Sequence, residues 1–148
     1  MSDLTRQLLE PTRARKASAQ WAAHFLAAGE LARHGYEVSF TMGNNTPVAD
    51  LMVGHPKTGS QFWVDVKGQW TSNAWWGTSK QQRSNLFYIL VLVAPSRSDD
   101  RFFVLSQTEF DDLIEQYRLA HQNAKPVGGF NWRDPHRYEN QWAKLPSW

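Results

Sequence analysis

The stretch that decides the fold is residues Pro47–Lys67, which read PVADLMVGHPKTGSQFWVDVK. Its two ends, Val48–Val53 and Gln61–Val66, are rich in the branched and aromatic residues that are typical of β-strands. Between them lies His55–Ser60, where a proline and a glycine mark a turn. The stretch therefore predicts a β-hairpin.

Each strand of this hairpin contributes one aspartate, Asp50 on the first strand and Asp65 on the second. Closure at the turn brings the two carboxylates side by side. Lys67 shares a strand face with Asp65, because residues two apart point the same way. Adjacent carboxylates repel each other unless a cation lies between them, and such hard oxygen ligands suit Mg²⁺ or Mn²⁺. A metal beside a lysine supports phosphodiester hydrolysis. The alternative is that Asp-x-Lys, a very common tripeptide, faces solvent here.

An alanine-rich helix is predicted before the hairpin, over residues 16–34, with Ser18 as a cap at its start and Gly35 as a C-terminal cap. The helical spacing predicts one core-facing apolar stripe, formed by Trp21, Phe25, Ala28 and Ala32. Glu30 lies roughly opposite this stripe, beside small apolar residues. It is either an exposed glutamate or a carboxylate with a partner or a metal nearby.

This order of elements resembles the PD-(D/E)xK nucleases, the restriction-endonuclease-like superfamily, over roughly residues 18–94. In that family a helix carries a Glu, a strand carries the first Asp and the next strand carries (D/E)-x-K. The matching residues here are Glu30, Asp50, Asp65 and Lys67. The segments GELARHGYEVSF, PVADLMV and WVDVKG are similar to the Holliday-junction-resolvase-like branch. Two departures are Pro47, three residues before the first Asp, and an Asp where many members have Glu.

The resemblance implies an α/β fold with a restriction-endonuclease-like core: a helix, a three-strand meander and a central mixed sheet flanked by helices, in the order αβββαβ plus a C-terminal strand and helix. It implies a Mg²⁺- or Mn²⁺-dependent hydrolase in which Asp50, Asp65 and the Val66 carbonyl bind the metal. Glu30 would complete the metal shell, and Lys67 would orient the attacking water. The implied partner is nucleic acid, with DNA favoured over RNA, and resolvase-like relatives often form homodimers.

A tryptophan-rich stretch, residues 68–85, follows Lys67 directly, so we expect it to border the same site. Exposed tryptophans can stack on unpaired bases, and cationic side chains can contact phosphates. Residues 79–85 are expected to form a short helix that points Lys80, Gln81 or Gln82 toward the site. The candidate nucleic-acid-binding residues are Trp70, Trp75, Trp76, Lys80, Gln81 and Arg83. The alternative is that these tryptophans close the edge of the core.

The rest of the chain is expected to supply the scaffold. Strands are predicted at Tyr36–Met42, Leu86–Ala94 and Phe102–Leu105, the second a buried central strand. A helix capped by Ser106 or Thr108 should run to about His121. A short helix with Asp134 as its cap should then pack Tyr138, Trp142 and Leu145 over the sheet, or else form a partner surface.

Composition narrows the class of protein. The 148 residues suffice for a single domain over 1–148, with 1–15 a loose arm and 123–148 a C-terminal extension. The chain has no cysteine for a disulfide or a Cys-based zinc site, and its five histidines lack metal-ligand spacing and are expected at the surface or in caps. The longest apolar run has nine residues, too few to cross a bilayer, and the N-terminus is not a signal peptide, so we expect a cytoplasmic protein.

Two hypotheses follow. The first is a metal-dependent nuclease. The second is a catalytically weak or inactive module on the same fold that binds nucleic acid or protein. The net charge of +2 permits nucleic-acid binding but does not demand it. A small-molecule enzyme is not supported, because the chain has no phosphate-cradling glycine loop and no nucleophile–histidine pair.

Overall fold

The structure is a computed structural model that describes residues 13–41, 48–70, 72–122 and 128–146, with side chains from residue 18 onward. Two α-helices lie in these ranges, α1 (Arg13–Arg33) and α2 (Gln107–Ala120). The strands are β1 (Glu37–Phe40), β2 (Leu51–Gly54), β3 (Gln61–Gln69), β4 (Trp75–Trp76), β5 (Leu86–Leu92), β6 (Arg101–Ser106) and β7 (Gly129–Phe130). Short 3-10 helices span Arg97–Asp99, Asp134–Tyr138 and Trp142–Lys144.

The five longer strands form one mixed sheet in the order β1-β2-β3-β5-β6. The first three strands are antiparallel neighbours, so the predicted hairpin and meander are confirmed. Strand β5 pairs in parallel with β3 and antiparallel with β6, which makes β5 the buried central strand that its apolar sequence predicts. The two-residue strands β4 and β7 pair separately.

The two α-helices cover the two faces of this sheet. One core cluster lies under α1 and includes Leu31, Val64 and Ile89. The second lies under α2, where the rings of Tyr88 and Phe110 stack at 3.8 Å between centroids. Helix α2 begins with the predicted Ser106 cap, which forms a reciprocal capping box with Glu109. The expected fold class, a central mixed sheet flanked by helices, is confirmed.

The core-facing side of α1 differs from the prediction. Its buried residues are Ala19, Ala23, Ala27 and Leu31, whereas Trp21 and Phe25 are 49% and 61% exposed. The reason is distance: the backbone of α1 lies so close to β3 that a Cβ built on Gly68 would be 2.3 Å from the Ala23 Cβ. Only small side chains fit between such elements. The helix also begins at Arg13, inside the segment predicted as a loose arm.

Three further predictions meet different outcomes. Residues 79–85 do not form a helix and are an extended loop. The C-terminal segment does pack over the sheet, but as 3-10 turns: Leu145 is 2% exposed, and Tyr138 and Trp142 join different core clusters rather than sharing one face. The last residue of the predicted first strand, Met42, and the first five residues of the predicted C-terminal extension, 123–127, lie outside the described ranges, as do residues 43–47.

Within the described ranges, neither α-helix combines the length and the apolar composition needed to cross a membrane.

Candidate active site

The backbone of the hairpin places the two predicted aspartates next to each other. Asp50 immediately precedes β2, and its N–H donates to the Val64 carbonyl at 3.0 Å. The register pairs Leu51 with Val64, so one step along the ladder sets Asp50 against Asp65. The side chain of Asp50 then accepts a 2.7 Å hydrogen bond from the Val66 N–H. The predicted neighbourhood of Asp50 and Asp65-Val66-Lys67 is therefore present.

Asp65 is held between two ammonium groups. Its side chain is 4% exposed, and its Oδ1 lies 2.9 Å from Lys67 Nζ. Its other oxygen, Oδ2, accepts a hydrogen bond from Lys80 Nζ, which also donates to the Val48 carbonyl at 3.1 Å. Charge neutralisation by two lysines allows a carboxylate to be almost fully buried.

Asp50 faces a histidine that the sequence did not single out. His24 of α1 places Nε2 3.2 Å from Asp50 Oδ1, a contact that is an ion pair when the imidazole is protonated. Burial raises the pKa of the Asp50 carboxyl, but the contact with His24, the hydrogen bond from the Val66 N–H and the charge of Lys67 outweigh it and lower the pKa below its usual value. Asp50 is therefore an anion near neutral pH, and Lys67 acts on both aspartates.

Gln20, one turn before His24 on α1, joins the helix to the end of β3. Its Nε2 donates to the Val66 carbonyl at 2.7 Å, and its Oε1 accepts from the Gly68 N–H at 3.0 Å. The side-chain amide thus mimics a neighbouring strand. It fixes the backbone on both sides of Lys67, and so it fixes the direction in which that lysine leaves the strand.

A buried glutamine at the start of α2 holds the loop that delivers Lys80. Gln107 is 2% exposed, and its Nε2 donates to the carbonyls of Lys80 and Gln81 at 3.2 and 3.0 Å. Its Oε1 accepts from the Arg83 N–H at 2.8 Å. The loop is thereby ordered without regular secondary structure, and an open cleft of about 280 Å³ lies beside it, lined in part by Lys80, Gln81 and Arg83.

The tryptophans of residues 68–85 have divided roles. Trp75 is 3% exposed in the core under α2, and its Nε1 donates to the Trp132 carbonyl at 3.2 Å, so it has no free face for a base. Trp70 packs against the core under α1. Trp76 is 63% exposed. The prediction of three stacking tryptophans is therefore wrong for Trp75, which closes the edge of the core.

Glu30 is not brought to the two aspartates. Its carboxylate lies 3.9 Å from Arg33 on the same helix. Asp50 contacts His24, six residues earlier on the helix, which is about 9 Å along its axis at the usual rise per residue. The described residues contain no group of three His, Cys, Asp or Glu side chains that could hold a metal ion, so Glu30 does not complete a shell with the aspartates in this arrangement.

The donors that are present fit one kind of metal site. Mg²⁺ usually keeps several waters and is held by one or two carboxylates together with substrate phosphates. The anionic Asp50, the carboxylate of Asp65 and the Val66 carbonyl are oxygen donors of that kind. A cation at Asp65 would compete with the ammonium groups of Lys67 and Lys80, so its binding would require at least one lysine to move.

The chain matches no protein-family model and no curated protein. Its structure is similar to that of a bacterial homing endonuclease, with a TM-score of 0.50 and 14% sequence identity. The alignment covers 84% of this chain and 86% of that chain. At this identity the likeness shows the fold alone. The chain thus shares with a nuclease a mixed α/β fold in which a central sheet lies between helices.

Proposed function

We propose that the protein is a metal-dependent nuclease of the PD-(D/E)xK type, which hydrolyses phosphodiester bonds of nucleic acid, with DNA as the preferred substrate. The observation that carries this proposal is the arrangement of Asp50, Asp65 and Lys67 around the single residue Val66. Carboxylates that can hold a metal and a cation that can stabilise the charge on the phosphoryl group are what the transfer of a phosphoryl group to water requires. The nuclease fold of the structural neighbour supports the same conclusion.

The metal would be held by Asp50, Asp65 and the carbonyl of Val66. A bound Mg²⁺ or Mn²⁺ would supply the polarised phosphoryl oxygen and the acidified water that hydrolysis needs. The protein groups around it have separate tasks: His24 contacts the carboxylate of Asp50, and Gln20 holds the Val66 carbonyl by a hydrogen bond to one of its two lone pairs, so the metal would use the other.

Lys67 would orient the attacking water or hold a phosphate oxygen. Its ammonium group lies beside Asp65, and its side chain is 28% exposed, so solvent and substrate can reach it. Lys80 has the same exposure and binds the other oxygen of Asp65. When a phosphate enters, its charge offers both lysines an alternative anionic partner to Asp65. Arg83 and Trp76 lie a few residues from Lys80 in the sequence, and both are exposed. Arg83 is proposed to contact the phosphate backbone, and Trp76 is proposed to stack on an unpaired base.

The test is a cleavage assay with labelled single-stranded, duplex and branched DNA and an RNA, in Mg²⁺, Mn²⁺ or chelator. Lys67→Ala should abolish cleavage while the circular dichroism spectrum stays that of the wild type, although the melting temperature should fall because the buried Asp65 loses one of its two cationic partners. Lys57→Ala, an exposed lysine in the hairpin turn, is the matched control and should cleave normally. Full activity in Lys67→Ala would refute the assigned role.

A second function, nucleic-acid binding without hydrolysis, is favoured by one observation: the carboxylate of Asp65 already lies between the ammonium groups of Lys67 and Lys80. In that case the protein would bind nucleic acid equally well with metal or chelator and would cut none of the substrates.

A further inference from the structure

Three aromatic side chains form a continuous exposed row beside the candidate site, which we call the aromatic ladder: Trp21, Phe25 and Phe40. The Trp21 and Phe25 rings are stacked with centroids 6.2 Å apart, and Phe25 and Phe40 lie 5.4 Å apart. The three are 49%, 61% and 45% exposed. Each ring therefore has a free surface, although such residues are normally buried.

The ladder is joined to Asp50 at both of its ends. Trp21 meets the ring of His24 edge-on at 5.5 Å, and His24 contacts the Asp50 carboxylate. At the other end, Thr41 follows Phe40 directly, and both its N–H and its hydroxyl donate to the Asp50 carbonyl at 3.0 Å. The exposed rings are thus fixed relative to the residue that would hold the metal.

The size of the ladder argues against a subunit interface. A large aromatic residue buries 150–250 Å², so three half-exposed rings offer at most about 400 Å² of apolar surface. A stable interface needs about 800 Å² from each partner. The surface matches a smaller and flatter occupant, such as one or two nucleobases.

Stacking on bases explains both the chemistry and the position of the ladder. Every nucleobase has a π-face, so a row of aromatic rings binds unpaired bases whatever their sequence, while paired bases in a duplex keep their faces hidden. We propose that the aromatic ladder is a stacking platform for unpaired bases next to the scissile phosphate, so that the protein prefers single-stranded or locally unpaired DNA to continuous duplex. This inference rests on the proposed function for its class of partner.

The first experiment measures the binding of labelled single-stranded and duplex DNA by fluorescence anisotropy, in chelator. The double variant Trp21→Ala/Phe25→Ala should lose about tenfold or more of its single-strand affinity, since each stacked base contributes strongly to binding. Its duplex affinity should change little. Leu119→Ala, which removes a half-exposed apolar side chain from α2, is the matched control and should leave both affinities unchanged.

A second variant separates stacking from general apolar contact. Phe25→Leu keeps an apolar side chain but removes the π-face, so single-strand affinity should still fall, whereas Phe25→Trp should keep it. Unchanged single-strand affinity in the double variant would overturn the proposal. So would equal losses on both substrates together with a dimer-to-monomer shift in sedimentation, which would make the ladder a subunit interface.

Cleavage in Mg²⁺ is measured on the same proteins, so the two proposals fail separately. Wild-type cleavage with unaltered single-strand binding by the double variant would refute the ladder and keep the nuclease. Loss of single-strand binding by the double variant, without cleavage by the wild type on any substrate, would keep the ladder and refute hydrolysis.

Discussion

Replacing Gly68 by alanine should loosen the joint between α1 and β3. A Cβ at this position would lie 2.3 Å from the Ala23 Cβ and 2.9 Å from the Ala19 carbonyl oxygen. Carbon atoms in van der Waals contact are about 3.5–4.0 Å apart, so the helix would have to retreat by more than about 1 Å. Such overpacking costs about 1–3 kcal/mol. If the retreat also breaks one of the two hydrogen bonds of Gln20, which contributes about 0.5–1.5 kcal/mol, the total loss reaches roughly 2–4 kcal/mol.

The measurement is thermal and urea unfolding followed by circular dichroism. For a domain of this size, the loss corresponds to a fall in melting temperature of roughly 5–15 °C. Gly29→Ala in α1 is the matched control, because its added Cβ would meet no atom within 4 Å apart from its chain neighbours and the backbone of its own helix. It should stabilise the protein by about 0.5–1 kcal/mol, since alanine is the better helix former.

A double variant tests the geometry itself. Ala23→Gly in the Gly68→Ala background removes the Cβ–Cβ contact but leaves the contact with the Ala19 carbonyl. Glycine inside a helix itself costs about 0.5–1 kcal/mol, so the double variant should lose less stability than the sum of the two single losses, which is a non-additive cycle. A Gly68→Ala protein as stable as the wild type would refute the close approach of α1 to β3 and, with it, the placement of Gln20 and His24.

Three other predictions follow from the same contacts. Gln107→Leu should lower stability by about 1–3 kcal/mol because it leaves buried groups of the Lys80 loop unpaired, and hydrogen exchange should show faster exchange of the Arg83 amide, whereas the exposed Gln116→Leu should do neither. Tyr88→Phe should leave stability unchanged or raised, because the buried Tyr88 hydroxyl has no hydrogen-bond partner among the described residues. Tyr36→Phe should lower stability by about 1 kcal/mol, because it removes the 2.6 Å hydrogen bond to the Pro146 carbonyl. The opposite order of stability in urea unfolding would contradict both assignments. The hydrogen bond from Arg101 lowers the pKa of Glu139 in the folded state. The contribution of this pair to stability is therefore present above about pH 4.5 and is lost as the pH falls through the lowered pKa. Glu139→Gln should reduce the loss of stability at acid pH by less than about 1 kcal/mol, and an unchanged pH dependence would exclude this linkage.

Local patterns were sufficient for the hairpin and the acid–lysine centre. The turn at His55–Ser60 is punctuated by Pro and Gly, and the alternation of β3 sets Asp65 and Lys67 on one face. Because β2 and β3 are consecutive strands joined by this turn, the hairpin alone sets Asp50 beside Asp65. The central strand β5 was equally readable, because a continuous apolar run is buried on both faces.

The orientation of α1 was not readable from hydrophobicity. Trp21 and Phe25 carry far more apolar surface than alanine, yet close packing on Gly68 selects the small side chains. The spacing of Ala19, Ala23 and Ala27 was the available signal, and the adjoining residues Gln20 and His24 contact β3 and Asp50 respectively. The alanine stripe, taken as the core face, places Gln20 and His24 beside the sheet as well.

The loop before β5 depends on a contact that sequence patterns do not reveal. Its conformation is set by Gln107, which lies 24 to 27 residues further along the chain and is buried at the start of α2. A short helix was expected at 79–85, and the hydrogen bonds of Gln107 hold this segment as a loop instead. The position of Lys80 on Asp65 follows from the same contact.

The central claim is that Asp50 and Asp65 together hold a divalent cation next to Lys67. The most direct test is a calorimetric titration of the wild type and of Asp50→Asn with Mn²⁺ at neutral pH. The account predicts binding by the wild type that Asp50→Asn abolishes or weakens at least tenfold, with the fold intact by circular dichroism. Absence of binding by the wild type, or equal binding by the variant, would contradict it.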